Sequence, residues 1–252
     1  MTSDRWAREV RQQLGLGRLL PLGGPRDGAW IAEGAARAVL GDAVAREVPD
    51  VRLGSLRIAL ADPEEAHEPV VPPPPSGLPP GALRVTADFA ATAAEPLPAT
   101  ASRLRAALAA AATQRLGLTV SEVDLRVTAL LEEAEEGEAD GQPTAVRTPQ
   151  PPTARAAADP DESLAATAAL SVPGVTRLTG SLGGLGRAVH VERRAQGDEG
   201  AKGASLPRRH VRVELATDTD HRAVEVARQV RAAVRDALDD HPTVAVLVTA
   251  VG

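Results

Sequence analysis

The chain has 252 residues, 43% of them apolar, a net charge of −6 and no cysteine, which together exclude disulfides, thiolate metal ligands and cysteine nucleophiles. Aromatic residues amount to Trp6, Trp30 and Phe89, so any core is built from Ala, Val and Leu, and no apolar run reaches the roughly 18 residues of a membrane span. The first residues carry no secretory-type apolar stretch, so the expected location is cytoplasmic.

Charge is unevenly distributed. Residues 131–162 carry −7 and the rest of the chain nearly balances. Basic residues are almost all arginine, with Lys202 the only lysine, and neither half gathers the basic cluster expected of a nucleic-acid binder.

In chain order, residues 3–20 read as a short helix. Trp6, Val10 and Leu14 share one face, with Arg5, Arg8, Glu9 and Arg11 elsewhere. That face either packs on the following domain or meets a partner or an anionic membrane. Trp6, Val10 and Leu14 are therefore the candidate interaction residues. Residues 29–48 carry apolar residues at helical spacing, and Pro49 stops the helix. Leu56, Ile58 and Leu60 alternate as a strand. Residues 64–81 hold a run of prolines that predicts an exposed extended loop. Leu83, Val85, Ala87 and Phe89 alternate as the next strand. Pro98 opens a helix through residue 116, Gly117 caps it, and Val123 to Ala129 form another strand. Residues 132–162, acidic and then Pro/Thr/Ala-rich, predict a disordered linker. A short helix then runs to Pro173, a glycine-rich turn occupies 180–186, and strands are expected at 187–194 and around Val211–Leu215. Asp218 or Asp220 caps a helix from 221 to about 240, and 243–252 is a final buried strand.

The two halves share an order and several short matches. Val48-Pro49-Asp50-Val51 pairs with Val172-Pro173-Gly174-Val175, and Leu83-Arg84-Val85 with Val211-Arg212-Val213. Leu104–Leu108 pairs with Val230–Val234, and Val127-Thr128-Ala129 with Val248-Thr249-Ala250. The expected fold class is α+β, with two small domains, each a mostly antiparallel sheet with helices on one face. The expected boundaries are 1–28 for the N-terminal helix and loop, 29–131 for the first repeat with its proline-rich loop at 69–81, 132–162 for the linker, and 163–252 for the second repeat.

At these elements the chain resembles the alkaline shock protein family, the general-stress and envelope-stress proteins of Gram-positive bacteria. Ala168–Val175 with the glycines at 180, 183, 184 and 186 carries one part of the likeness, and Leu118–Val127 carries the other. The resemblance implies a non-catalytic, cytoplasmic, often membrane-proximal protein that acts through protein contacts, and it transfers no catalytic residue.

No chemistry-bearing motif emerges from the residues themselves. The histidines at 67, 190, 210, 221 and 241 lack metal-ligand spacing and read as surface residues. No G-x-S-x-G occurs, and the glycines at 180–186 follow a helix and precede a strand, the reverse of a phosphate-binding loop. The expected function is a non-enzymatic, envelope-stress-type scaffold without cofactor or metal. It would self-associate or bind a membrane-anchored protein partner. The alternative is a nucleic-acid-binding protein on a small α+β platform.

Overall fold

In the computed structural model, residues 16–131, 151–157, 159–181, 186–193 and 209–252 are described. The expected helix at 3–20, with Trp6, Val10 and Leu14, lies almost wholly outside the described residues, as does the acidic stretch 132–150.

Strand β1 (Leu19–Pro21) and strand β2 (Ala29–Ala32) form a hairpin, and helix α1 (Glu33–Glu47) follows without a break. Then come β3 (Val51–Leu60), β4 (Leu83–Thr92), helix α2 (Leu97–Ala110) with a π-helical last turn (Ala111–Leu116), and β5 (Val120–Leu131). The second half supplies α3 (Pro160–Leu170), β6 (Val175–Leu178), β7 (Val189–Arg193), β8 (Arg209–Thr217), α4 (Ala223–Ala237) and β9 (Thr243–Val251). The fold is α+β with two sheets, as the patterning predicts. The small sheet runs β3-β4-β5, and the large one runs β1-β2-β9-β8-β6 with β7 also on β8.

Pairing is mixed. In each half the strand before the long helix and the strand after it lie parallel, β4 with β5 and β8 with β9, because a helical crossover returns the chain in its starting direction. The other pairs are antiparallel, apart from β2, which lies parallel to β9.

Both halves run helix, strands, long helix, strand, and the correspondence reaches individual bonds. The Val51 amide donates to the Val48 carbonyl at 3.1 Å and the Val175 amide to that of Val172 at 3.2 Å. The β4–β5 register slips between Phe89 and Ala90, leaving Thr128 as the extra residue; the β8–β9 register slips between Leu215 and Ala216, leaving Thr249. Thr128 Oγ1 donates to the Phe89 carbonyl, and Thr249 Oγ1 to that of Leu215, each at 3.1 Å. These bonds make Phe89 equivalent to Leu215. The sequence match of Leu83-Arg84-Val85 to Val211–Val213 therefore slips by two residues, and Val85 corresponds to Val211.

Three expectations need correction. Residues 29–32 are a strand, not the first turn of a helix, because Trp30 and Ile31 sit beside Leu247 and Val248. The stretch 151–157 is not free linker. The Ala154 amide donates to the Leu178 carbonyl, the Gly180 amide to that of Pro152, and Arg177 Nη1 to that of Pro151, while Pro160 already begins α3 under an Asp159 cap. The proline-rich loop is pinned along the β1 edge rather than splayed into solvent. The Leu19 amide donates to Ser76, the Leu78 amide to Leu19, and Trp30 Nε1 to the Leu78 carbonyl at 3.0 Å.

One continuous apolar core joins the halves. The hairpin β1–β2 belongs to the first half in sequence but completes the sheet of the second. Six successive residues of β9, Val244–Thr249, are buried, so both faces of that sheet are covered at its centre. The loop between β1 and β2 is tied to α4 by Asp27, which accepts from Arg228 Nε at 2.8 Å and Nη2 at 3.0 Å.

Candidate functional site

Among the described residues the small sheet has helices on one face only. Its other face follows from the period-two alternation read in the sequence: Arg84, Thr86 and Asp88 on β4 stand beside Glu122, Asp124 and Arg126 on β5. Arg84 Nε lies 2.5 Å from Glu122 and 3.5 Å from Asp124. Arg126 holds Asp88 through two bonds of 2.7 and 2.9 Å, and Ser55 Oγ donates to the same carboxylate at 2.7 Å. The Arg126 hydrogen bond, then that of Ser55, keeps the Asp88 carboxyl below the usual range. Exposed pairs of this kind add little stability. Their effect is to lay a fixed pattern of alternating charge over the open face.

The strand edges differ more than the faces do. The β1 edge is covered by the proline-rich loop, and the β6 edge by residues 151–155. The β3 edge is broken by a register shift between Leu53 and Leu56 and plugged at Ile58. There Glu33 accepts from the Ile58 amide at 3.3 Å, Arg18 donates to its carbonyl at 2.8 Å, and the two plugging side chains lie 3.5 Å apart. By contrast, β5 is a twelve-residue strand without proline and without a buried residue. Its Val127 is 41% exposed and its Leu130 60%. Among the described residues its only strand partner is β4, and Arg105 Nε, 3.2 Å from the Val123 carbonyl, is the one side chain reaching across its edge.

A second polar group is buried within the large sheet. Glu214, on the strand equivalent of Asp88, is fully buried and accepts from the Ser181 amide at 2.8 Å, with His190 Nε2 3.6 Å from its other oxygen. His210 is buried too, and its Nδ1 lies 2.9 Å from Thr243 Oγ1. The expectation that all five histidines are surface residues thus fails for His210, because the large sheet has both faces covered, and His190 is half-buried. His67, His221 and His241 are exposed. Glu214 fixes the start of the glycine-rich turn to β8, a structural task.

A concave pocket of about 300 Å³ lies beside the C-terminal half of α4, lined by Arg228, Arg231, Arg235, His241 and Thr243. Arg228 is committed to Asp27 and Glu225, and Arg231 to the Arg26 carbonyl. Among the described residues no group of three or more His, Asp or Glu side chains is placed to hold a metal ion. No helix among them is long and apolar enough to cross a membrane.

Compared with family models, curated proteins and solved structures, the chain matches none. The residues Trp6, Val10 and Leu14 lie outside the described residues, so the structure brings nothing to them. What sequence reasoning overlooked is the edge itself. The available signal was the charged alternation Glu122-Asp124-Arg126 against the uncharged run of Val244–Val248, which separates a half-exposed strand from one buried on both faces.

Proposed function

We propose that this chain is a non-enzymatic scaffold acting through protein contacts, of the envelope-stress type that its likeness to the alkaline shock family implies, and that the outer edge of β5 is its strand-accepting site. The reading takes the halves as tandem copies of one unit. One observation carries it. In the second half the equivalent edge, that of β9, is filled by β2, whereas in the first half the edge of β5 has no strand upon it among the described residues. An edge of this kind presents a row of unpaired amides and carbonyls, and strand addition is the common way a partner satisfies them. The alternating charges of the open face favour a protein partner over nucleic acid, because phosphate tracking needs arginines without interleaved carboxylates. The nucleic-acid alternative would show as binding that weakens steeply with salt.

The test is photo-crosslinking in cells, with a photo-reactive residue in place of Thr128 and, as control, in place of exposed Glu47 on α1. Protein adducts at 128 and none at 47 support the reading. A chain that crosslinks at neither position, or equally at both, overturns it.

A further inference from the structure

We infer that β5 pairs antiparallel with β5 of a second copy of this chain, in the register that sets Leu125 opposite itself. The inference rests on the strand-accepting edge proposed above and names its occupant. A two-fold contact uses the same patch on both partners, so the patch must complement itself.

Between its two register shifts, β5 is regular from Glu122 to Val127. Antiparallel pairing about Leu125 places Val123 opposite Val127 twice and Asp124 opposite Arg126 twice. All apolar residues then share one face, and the other face carries only opposite charges. The neighbouring registers that keep each side chain on its face do worse. Moving the axis to Asp124 sets two aspartates against each other at the centre, with Glu122 facing Arg126 on either side, and moving it to Arg126 sets two arginines against each other with no opposite-charge pair. Registers displaced by a single residue mismatch the faces altogether, putting apolar side chains beside charged ones. The Asp124 carboxylate, 3.5 Å from Arg84, keeps acceptor sites for an arginine across the axis. The contact closes on itself, because a two-fold pairing uses the same edge of both copies. The product is a dimer whose two small sheets join into one six-stranded sheet. Arg105, bonded to the Val123 carbonyl, competes for an acceptor that pairing uses.

The experiment is sedimentation equilibrium of the full chain over a hundredfold concentration range. The wild type is expected to approach twice 26.0 kDa. Arg126→Asp and Asp124→Arg each create like charges at two places across the axis and are expected to weaken association by about tenfold or more. Mixed one to one, the two variants restore both attractive pairs and are expected to form the heterodimer in preference to either homodimer. Arg105→Ala is expected to tighten the dimer about thirtyfold, the worth of two competing hydrogen bonds of about 1 kcal/mol, one in each copy. Matching thermal unfolding of the variants shows that folding is retained. A wild type that stays at 26.0 kDa throughout overturns the inference. So does a mixture that recovers no association. If the chain is monomeric yet crosslinks from position 128 to another protein, the strand-accepting edge stands and self-pairing falls. If it dimerises without any response to the charge variants, the register falls.

Discussion

Gly117 offers the sharpest test of how the two halves are held together. It ends the π-helical turn after α2 with a φ of +90°, and its carbonyl accepts from the Gly23 amide in the β1–β2 loop at 3.2 Å. A Cβ at this position would lie 2.2 Å from Cγ1 and 2.6 Å from Cβ of Val224 on α4. Gly117→Ala therefore combines two costs. Left-handed backbone costs a residue with a Cβ about 1–2 kcal/mol, and overpacking against a buried branched side chain costs about 1–3 kcal/mol. The sum corresponds to a fall in Tm of roughly 4–20 °C for a chain of this size, read by scanning calorimetry. Gly41, inside α1, is the control. A Cβ there meets nothing within 4 Å, so Gly41→Ala should raise stability by about 0.5–1 kcal/mol through backbone entropy alone. Adding Val224→Ala to Gly117→Ala relieves the clash at the expense of a cavity and leaves the φ cost in place, so it should not restore the wild-type Tm. A Gly117→Ala protein that melts with the wild type would refute the seam described here.

Other outcomes follow from the same contacts. Burial opposes the charge on Asp27, but the hydrogen bonds from Arg228 and the Gly24 amide and the charges of Arg228 and Arg231 prevail, holding its carboxyl below the usual range. A depressed folded-state pKa contributes stability above the unfolded value of about 4 and loses it as pH falls through the folded value. Asp27→Asn should therefore cost roughly 1–3 kcal/mol at pH 7, and urea titrations should show the gap from wild type closing as pH falls below about 4. Trp30→Phe removes the donor to the Leu78 carbonyl; about 1 kcal/mol of stability should go with it, and hydrogen exchange should quicken at Gly77 and Leu78 before it changes elsewhere. Glu214→Gln keeps an acceptor for the Ser181 amide and should be milder in thermal melts than Glu214→Ala, which leaves that buried amide without one.

Much of the fold was legible because its signals are local. Alternation marked β4 and β5, proline after Val48 and Val172 ended two helices, and Gly117 announced its cap. The misreadings share a cause: each was settled by a distant partner. Ala29–Ala32 runs into a helical pattern with no break in spacing, and only Leu247 and Val248, more than two hundred residues on, make it a strand. The prolines at 72–80 exclude regular structure but say nothing of Leu19 and Trp30, which hold the loop in place. The two-residue slip in the strand match was invisible because a shift of two leaves every side chain on its own face. Asp218 caps the turn before α4, bonding the Asp220 and His221 amides, rather than the helix itself.

The charges on β5 admit two physical explanations, and their arrangement separates them. Edge strands commonly carry charge to discourage pairing, and a chain built for that purpose gains most from like charges, which repel any second copy in every register. The strand β5 instead carries Asp124 and Arg126 on either side of Leu125, a mixed pair that sets like charges at the centre of a copy centred on either charge and none in one centred between them. Its counterpart β9 needs no such device, because β2 already fills its edge, and its residues 244–248 are accordingly uncharged. The same position in two equivalent units is thus apolar where a strand of the chain itself completes the sheet, and selectively charged where none among the described residues does. Charge of that kind excludes wrong registers while leaving one open, which is what a surface meant for a specific second strand requires.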